Sequence, residues 1–138
     1  MPVAPALLDT DILSELLKQH PLVLQKARAY LADHGRLAFS IVTRYEILRG
    51  FKAKQALAQE TAFERFCQTS EVVPLTDEMI QLAATLYGDL YRRGELLPDA
   101  DLLIAATALA ERRILVTNNL DHFRRIQDLA TENWKHGP

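Results

Sequence analysis

Residues 97–110 read Leu97-Pro98-Asp99-Ala100-Asp101-Leu102-Leu103-Ile104-Ala105-Ala106-Thr107-Ala108-Leu109-Ala110. Two carboxylates therefore stand directly before the most apolar, alanine-rich helical segment of the chain. Pro98 disfavours helix at the residue before it, and aspartate either caps a helix start or interacts well with its positive dipole end. The pattern predicts a buried helix that begins between Asp99 and Asp101 and directs an acid at one edge of the domain. A simpler interpretation stays open here, that either aspartate is only an N-cap.

The composition is that of one globular domain. The chain has 138 residues, of which 49% are apolar and 25% charged, so we expect a single domain over residues 1–138 with a substantial core. The one cysteine, Cys67, excludes an internal disulfide and is expected to be a small buried residue. No apolar run approaches the ~18 residues of a membrane span, which predicts a cytoplasmic protein without a membrane partner. The formal net charge of −2 neither indicates nor excludes a nucleic-acid partner.

Short apolar runs alternate with helical patterns along the chain. Strands are predicted at 6–8, 37–41, 71–75 and 114–117, with a weaker fifth at 129–134. Such alternation implies right-handed crossovers, so the predicted fold class is α/β, a three-layer α/β/α domain with a mostly parallel sheet of four to five strands. One predicted helix is capped by Thr76, and its apolar stripe is expected to face the core: Ile80, Ala83, Ala84, Tyr87, Leu90 and Tyr91.

Three acids that are distant in sequence share a place in this scheme. Asp9 follows the first strand, while Glu46 and Asp101 are expected in the first turns of helices at the same edge of the sheet. Clustered carboxylates repel one another unless they share protons or bind a cation. Oxygen ligands without histidine or cysteine select Mg²⁺ or Mn²⁺. The pattern therefore indicates metal-dependent phosphoryl hydrolysis.

Each acid also has an ordinary structural interpretation. Glu46 follows Thr43 at the spacing of a capping box, and Asp9 with Asp11 fits a turn and a cap. Asp121 fits a solvated loop acid. The histidines share no spacing, so none is assigned a metal or base function: His20, His34, His122 and His136.

Four segments resemble, in order, the motifs of the PIN-domain family, and most closely its VapC-type toxins from bacterial toxin–antitoxin pairs. They are Leu7–Leu13, Ser40–Gly50, Asp101–Ala108 and Val116–Asn119 with Phe123. The resemblance implies an endoribonuclease that depends on Mg²⁺ or Mn²⁺ and cuts structured RNA, commonly tRNA or ribosomal RNA. It further implies silencing by a cognate VapB-type antitoxin, and a homodimer that enters larger toxin–antitoxin complexes.

The same resemblance assigns site residues by position. Asp9, Glu46 and Asp101 match the three metal-binding acids of the family. The fourth position holds the neutral amide of Asn119, so a second metal would need Asp121 or Asp99, although Asp99 also fits a cap. Thr117 would hydrogen-bond a ligand or a bound water, or would merely end the strand. The helices of residues 52–67 would form a groove for the antitoxin.

Paired basic residues flank these motifs. Four arginines are candidates for binding RNA phosphates, with a solvated surface as the alternative: Arg44, Arg49, Arg92 and Arg93. A catalytically weak PIN-like module that binds RNA or protein is the alternative function. A phosphatase of the haloacid dehalogenase type is disfavoured, because Leu13 stands where its aspartate motif needs Thr or Val and the chain has no room for a cap domain.

Overall fold

The computed structural model describes residues 4–136, where strands and helices alternate. The strands are β1 (Ala6–Leu8), β2 (Ala38–Ser40), β3 (Glu71–Val73), β4 (Ile114–Val116) and β5 (Thr131–Glu132). The helices are α1 (Thr10–Leu17), α2 (Pro21–His34), α3 (Ile41–Ala53), α4 (Leu57–Gln68), α5 (Asp77–Arg92), α6 (Asp99–Ala110) and α7 (Leu120–Phe123). None of the helices in residues 4–136 is both long and apolar enough to span a membrane.

The strands form one sheet in the order β3-β2-β1-β4-β5, and every pairing is parallel. Leu8 lies in register with Phe39 on one side and with Val116 on the other. The predicted fold class is confirmed. Because β1 is central, the residues that follow β1, β2 and β4 meet at one edge of the sheet.

Alternation along each strand divides the core between the two faces of the sheet. Leu7 and Leu115 pack with α5 and α6, whereas Leu8, Phe39 and Val116 pack with α1, α2 and α4. Side chains of successive strand residues point to opposite faces, so a strand buried on both sides must be apolar throughout. The short strands therefore hold helices on both faces and form the three layers.

The helix predicted from residues 97–110 begins at Asp99. Pro98 occupies the N-cap position and no side chain caps the helix, so the expectation that a carboxylate caps it is wrong. Asp101 instead lies in the first turn, near the positive end of the helix dipole. Ala105 and Ala106 are fully buried, because their small side chains let α6 approach the sheet closely.

Two other helix predictions need correction. α3 begins at Ile41, because the Ser40 hydroxyl accepts a hydrogen bond from the Val42 amide at 3.0 Å and caps the helix. Glu46 therefore lies in the second turn, and the predicted capping box with Thr43 does not form.

The stripe predicted on α5 is also only partly buried. Thr76 caps the helix as expected, and its hydroxyl accepts from the Met79 amide at 3.2 Å. However, Ile80, Tyr87 and Tyr91 are 45%, 44% and 64% exposed. The exposed α5 residues form an apolar surface that the core does not use.

Cys67 on α4 is also less buried than expected, since its side chain is half-buried.

The close packing of α6 is tested by enlarging a buried alanine. Ala106→Leu is expected to lower the free energy of unfolding by about 1–3 kcal/mol, because the added atoms overpack a filled core. Urea denaturation would measure the change. The control Ala58→Leu adds the same atoms on the exposed face of α4 and should leave stability nearly unchanged. Equal effects of the two substitutions would contradict the close packing of α6.

Candidate active site

Asp9 is buried at the end of the central strand. It is 5% exposed, and its Oδ1 accepts a hydrogen bond from the Ile12 amide at 2.9 Å, so it also caps α1. Burial raises the pKa of Asp9 to about 7, hydrogen bonds from the Thr117 hydroxyl and the Ile12 amide oppose the rise, and the carboxylates of Asp11 and Asp101 add to it. Asp9 therefore both caps α1 and contributes a carboxyl group to the candidate site.

Glu46 reaches the same edge from α3. The Thr10 hydroxyl donates to Glu46 Oε1 at 2.5 Å, and the Thr43 hydroxyl lies 3.1 Å from that of Thr10. Glu46 Oε2 lies 3.5 Å from Nη2 of Arg49. These contacts tie α3 to the start of α1 and fix where the glutamate lies.

Asp101 is the third acid of the cluster, and 27% of its side chain is exposed. Burial raises the pKa of its carboxyl, the carboxylates of Glu46 and Asp11 add to the rise, and nearby His122 opposes it. The predicted acids Asp9, Glu46 and Asp101 thus interact electrostatically through one cluster, which Asp11 joins.

The fourth position holds the neutral side chain of Asn119, which contacts a histidine. The backbone N–H of Asn119 donates to Thr117 Oγ1 at 2.9 Å, and the side-chain Nδ2 of Asn119 lies 2.7 Å from Nδ1 of His122. That ring nitrogen lies 3.8 Å from Asp101 Oδ2. His122 was assigned no function from the sequence. The available signal was its position three residues after Asn119, which brings the two together once a helix turn follows β4.

The other two candidates for the fourth position lie elsewhere. Asp121 turns to solvent, with 88% of its side chain exposed and an ion pair to Arg124 at 3.2 Å. Asp99 is exposed and lines a cavity of about 350 Å³ beside Ile80 and Tyr87. Asp121 and Asp99 thus have other surroundings in the described structure, and a contribution of either carboxylate to the cluster stays a prediction.

The predicted arginines lie in different surroundings. Arg49 is 59% exposed and lies over the Tyr45 ring at 5.3 Å, beside Glu46. Arg44 instead pairs through both guanidinium nitrogens with Glu64 on α4. Two others serve local contacts in the described structure: Arg92 with Asp89 and Arg93 with the Arg125 carbonyl. Of the four, Arg49 is the one whose guanidinium contacts the acid cluster.

The donor chemistry of the cluster fits a hard divalent cation. Its ligands would be carboxylate and amide oxygens, and a cation would offset the cost of ionising the buried Asp9. In residues 4–136, no three His, Cys, Asp or Glu side chains are already arranged as ligands. Glu46 is held by Thr10 and Arg49, so a cation would compete with those two contacts.

Known proteins share this arrangement of sequence and fold. The PIN-domain family model matches residues 6–129. Ribonuclease VapC2 of Rickettsia felis is 30% identical over 129 residues, which are 93% of this chain and 96% of that protein. Ribonuclease VapC1 of Methanocaldococcus jannaschii is 33% identical over 124 residues, 90% of this chain and 82% of that protein. A chain in the structure of Rickettsia felis VapBC2 bound to a promoter DNA fragment has a TM-score of 0.83 and 28% identity, covering 94% of this chain and 98% of that one.

The raised pKa of Asp9 predicts how stability depends on pH. The metal-free unfolded chain ionises Asp9 near its ordinary pKa of 3.8, whereas the folded chain keeps the proton up to about pH 7. The unfolded state therefore binds fewer protons in this window, and stability falls as the pH rises through it, by up to about 1.4 kcal/mol per pH unit.

Asp9→Asn isolates this effect, because asparagine keeps the N-cap but does not titrate. Urea denaturation of both proteins in chelator should show the variant gaining stability relative to the unaltered chain between about pH 4 and 7. Parallel pH profiles would contradict the burial of an uncompensated carboxyl. Mg²⁺ should stabilise the unaltered chain most at the upper end of this range.

Proposed function

The chain belongs to the PIN-domain family, among its VapC-type ribonucleases, and from this we propose that it is the toxin of a toxin–antitoxin pair that hydrolyses RNA phosphodiester bonds. The observation that carries the proposal is the cluster of Asp9, Glu46 and Asp101, in which a buried carboxyl has its pKa raised to about 7. Such a cluster is costly unless a cation belongs there.

Asp9, Glu46 and Asp101 would hold Mg²⁺ or Mn²⁺, with the Asn119 side chain as a neutral fourth donor. A cation held there would supply a bound water of lowered pKa and positive charge for the scissile phosphate. The protein holds its own groups in place by hydrogen bonds: Thr117 to Asp9, and Thr10 to Glu46. These hydrogen bonds restrict the positions of the two carboxylates.

Arg49 is the proposed contact for a phosphate of the RNA backbone, through its positively charged guanidinium. It is exposed next to Glu46, so a phosphate near the acid cluster would lie within its reach. Arginine binds phosphate through several N–H groups at once. By family resemblance, we propose tRNA or ribosomal RNA as the substrate class, which fits a cytoplasmic location.

A groove beside the cluster is the proposed site for the antitoxin. Its volume is about 540 Å³, and its apolar floor comes from α1, α3 and α4, including Leu17, Ile47, Phe51 and Phe63. Asp11 and Glu46 line it, as do Lys18 and Lys54. A VapB-type segment would fit if it had an apolar face for the floor, a basic residue opposite Asp11 and Glu46, and an acidic residue opposite the two lysines. Because Glu46 lines both the groove and the active site, the occupant would also block the cluster.

The exposed face of α5 is the proposed contact between two copies. Ile80, Tyr87 and Tyr91 recur at helical spacing, and the two tyrosine rings lie 6.1 Å apart in a stack. Soluble monomers rarely expose large contiguous apolar patches. We therefore propose a homodimer through α5, able to enter larger complexes with the antitoxin.

The alternative is a PIN-like module that binds RNA or protein without cutting it. The neutral side chain of Asn119 at the fourth position favours this alternative. RNA cleavage decides between the two.

Metal-dependent cleavage is tested by incubating the antitoxin-free protein with total tRNA and ribosomal RNA in Mg²⁺, Mn²⁺ or chelator. We expect cleavage only with metal, and a loss of about 100-fold or more in Asp9→Ala and Asp101→Asn, since each removes a charged carboxylate ligand. Asp121→Asn is the matched control, because it removes a carboxylate that faces solvent in the segment after β4. Cleavage in chelator, or in both ligand variants, would refute the metal site. A folded but inactive unaltered chain would favour the binding module.

The proposed dimer is tested by sedimentation equilibrium. The antitoxin-free chain should show twice the mass of one chain, and Tyr87→Glu with Tyr91→Glu should convert it to a monomer, because charges at a buried apolar contact are costly. Leu57→Glu is the control, since Leu57 is 72% exposed on α4. A monomeric unaltered chain, or a dimer that persists in the α5 variant, would refute this interface.

A further inference from the structure

The amide of Asn119 has two unlike ends, and this matters at a cation site. Its oxygen can bind a hard cation, whereas its NH₂ group cannot. A carboxylate at the same position would offer two equivalent oxygens in either orientation. A neutral fourth ligand therefore works only if something determines which way the amide faces.

His122 makes the short contact that determines it. Asn119 Nδ2 donates to His122 Nδ1 across 2.7 Å, which requires a ring nitrogen without a proton and leaves Asn119 Oδ1 free of the ring. The same ring nitrogen is 3.8 Å from Asp101 Oδ2, too long for a hydrogen bond. The short hydrogen bond of the ring is therefore to Asn119, and its interaction with Asp101 is electrostatic.

Both partners in this contact are anchored by buried groups. The backbone of Asn119 is held by the Thr117 hydroxyl at 2.9 Å, and Thr117 is fully buried beside Asp9. His122 precedes Phe123, which is 1% exposed and fixes α7 against the core. The ring is thus held at a defined place although 38% of its side chain is exposed.

We propose that His122 is a positioning residue. Its Nδ1 accepts a hydrogen bond from the side-chain NH₂ of Asn119, which keeps Asn119 Oδ1 available to a cation held by Asp9 and Asp101. The inference rests on the proposed function, because it concerns the same cation site. Without the ring, the NH₂ group would be free to donate to the neighbouring carboxylate of Asp101. The amide would then occupy a metal ligand instead of acting as one.

The first test is a double-mutant cycle on Mn²⁺ affinity, measured by electron paramagnetic resonance without RNA. His122→Ala should weaken Mn²⁺ binding by about tenfold or more, as loss of a group that orients a ligand does. In an Asn119→Asp background, the same substitution should change affinity by no more than about twofold, the scatter of additive substitutions. His122→Gln should restore part of the Mn²⁺ affinity lost in His122→Ala, because the glutamine side-chain oxygen can accept a hydrogen bond from the NH₂ group of Asn119.

The second test reads the ring directly in the metal-free protein. Nitrogen-15 NMR, at a pH well above the ordinary imidazole pKa, should show the His122 proton on Nε2 and none on Nδ1. A proton on Nδ1 would mean that the ring donates to Asn119 Oδ1, and this would overturn the inference. The measurement needs neither activity nor metal, so a folding defect in a variant cannot affect it.

The outcomes separate this inference from the proposed function. Equal Mn²⁺ affinity with and without His122, or an equal loss in the Asn119→Asp background, overturns only the positioning assignment. Absence of Mn²⁺ binding by the unaltered chain overturns the metal-dependent function and this inference with it. Tight, His122-dependent Mn²⁺ binding without RNA cleavage supports the positioning assignment and refutes only the nuclease.

Discussion

The buried carboxyl of Asp9 is the constraint on which the site depends. It lies at the end of the central strand, between β2 and β4, where little water reaches it. Burial raises the pKa of this group to about 7, against the opposing hydrogen bonds of Thr117 and Ile12. Two donors only partly offset the cost of ionisation, and Asp101 increases it. The protein therefore keeps, at its most protected strand end, a group that is inexpensive to ionise only beside a cation.

The parallel sheet explains why the other polar groups gather around Asp9. In a parallel sheet every carboxyl end lies at the same edge, so the segments after β1, β2 and β4 become neighbours. α6 precedes β4 and returns the chain to the opposite edge, which places the start of α6, and Asp101, beside the cluster. The site is thus a consequence of connectivity, and hydroxyl groups such as those of Thr10 and Thr117 complete it.

The two proposed partner surfaces lie on opposite faces of this sheet. The groove is formed by α1, α3 and α4, whose buried residues pack with Leu8 and Phe39. The exposed tyrosines lie on α5, whose buried residues pack with Leu7 and Leu115. An antitoxin in the groove and a second copy on α5 would therefore bind without competing. Blocking of the cluster from the groove is then compatible with a dimer.

The sequence by itself determined the class of fold and indicated which acids lie near one another. Short apolar runs that alternate with helical patterns indicate a parallel sheet covered on both faces, and Asp9 and Asp101 stand where such strands and helices turn. It could not determine the end of β2, because the Ser40 hydroxyl caps α3 earlier than the apolar pattern indicates. Nor could it determine burial on α5, since apolar spacing marks a face without saying whether the core covers it. Only tertiary structure brought His122 into contact with Asn119, Asp121 into an exposed ion pair and Asp99 into a separate cavity, because the direction of a side chain depends on how its helix packs.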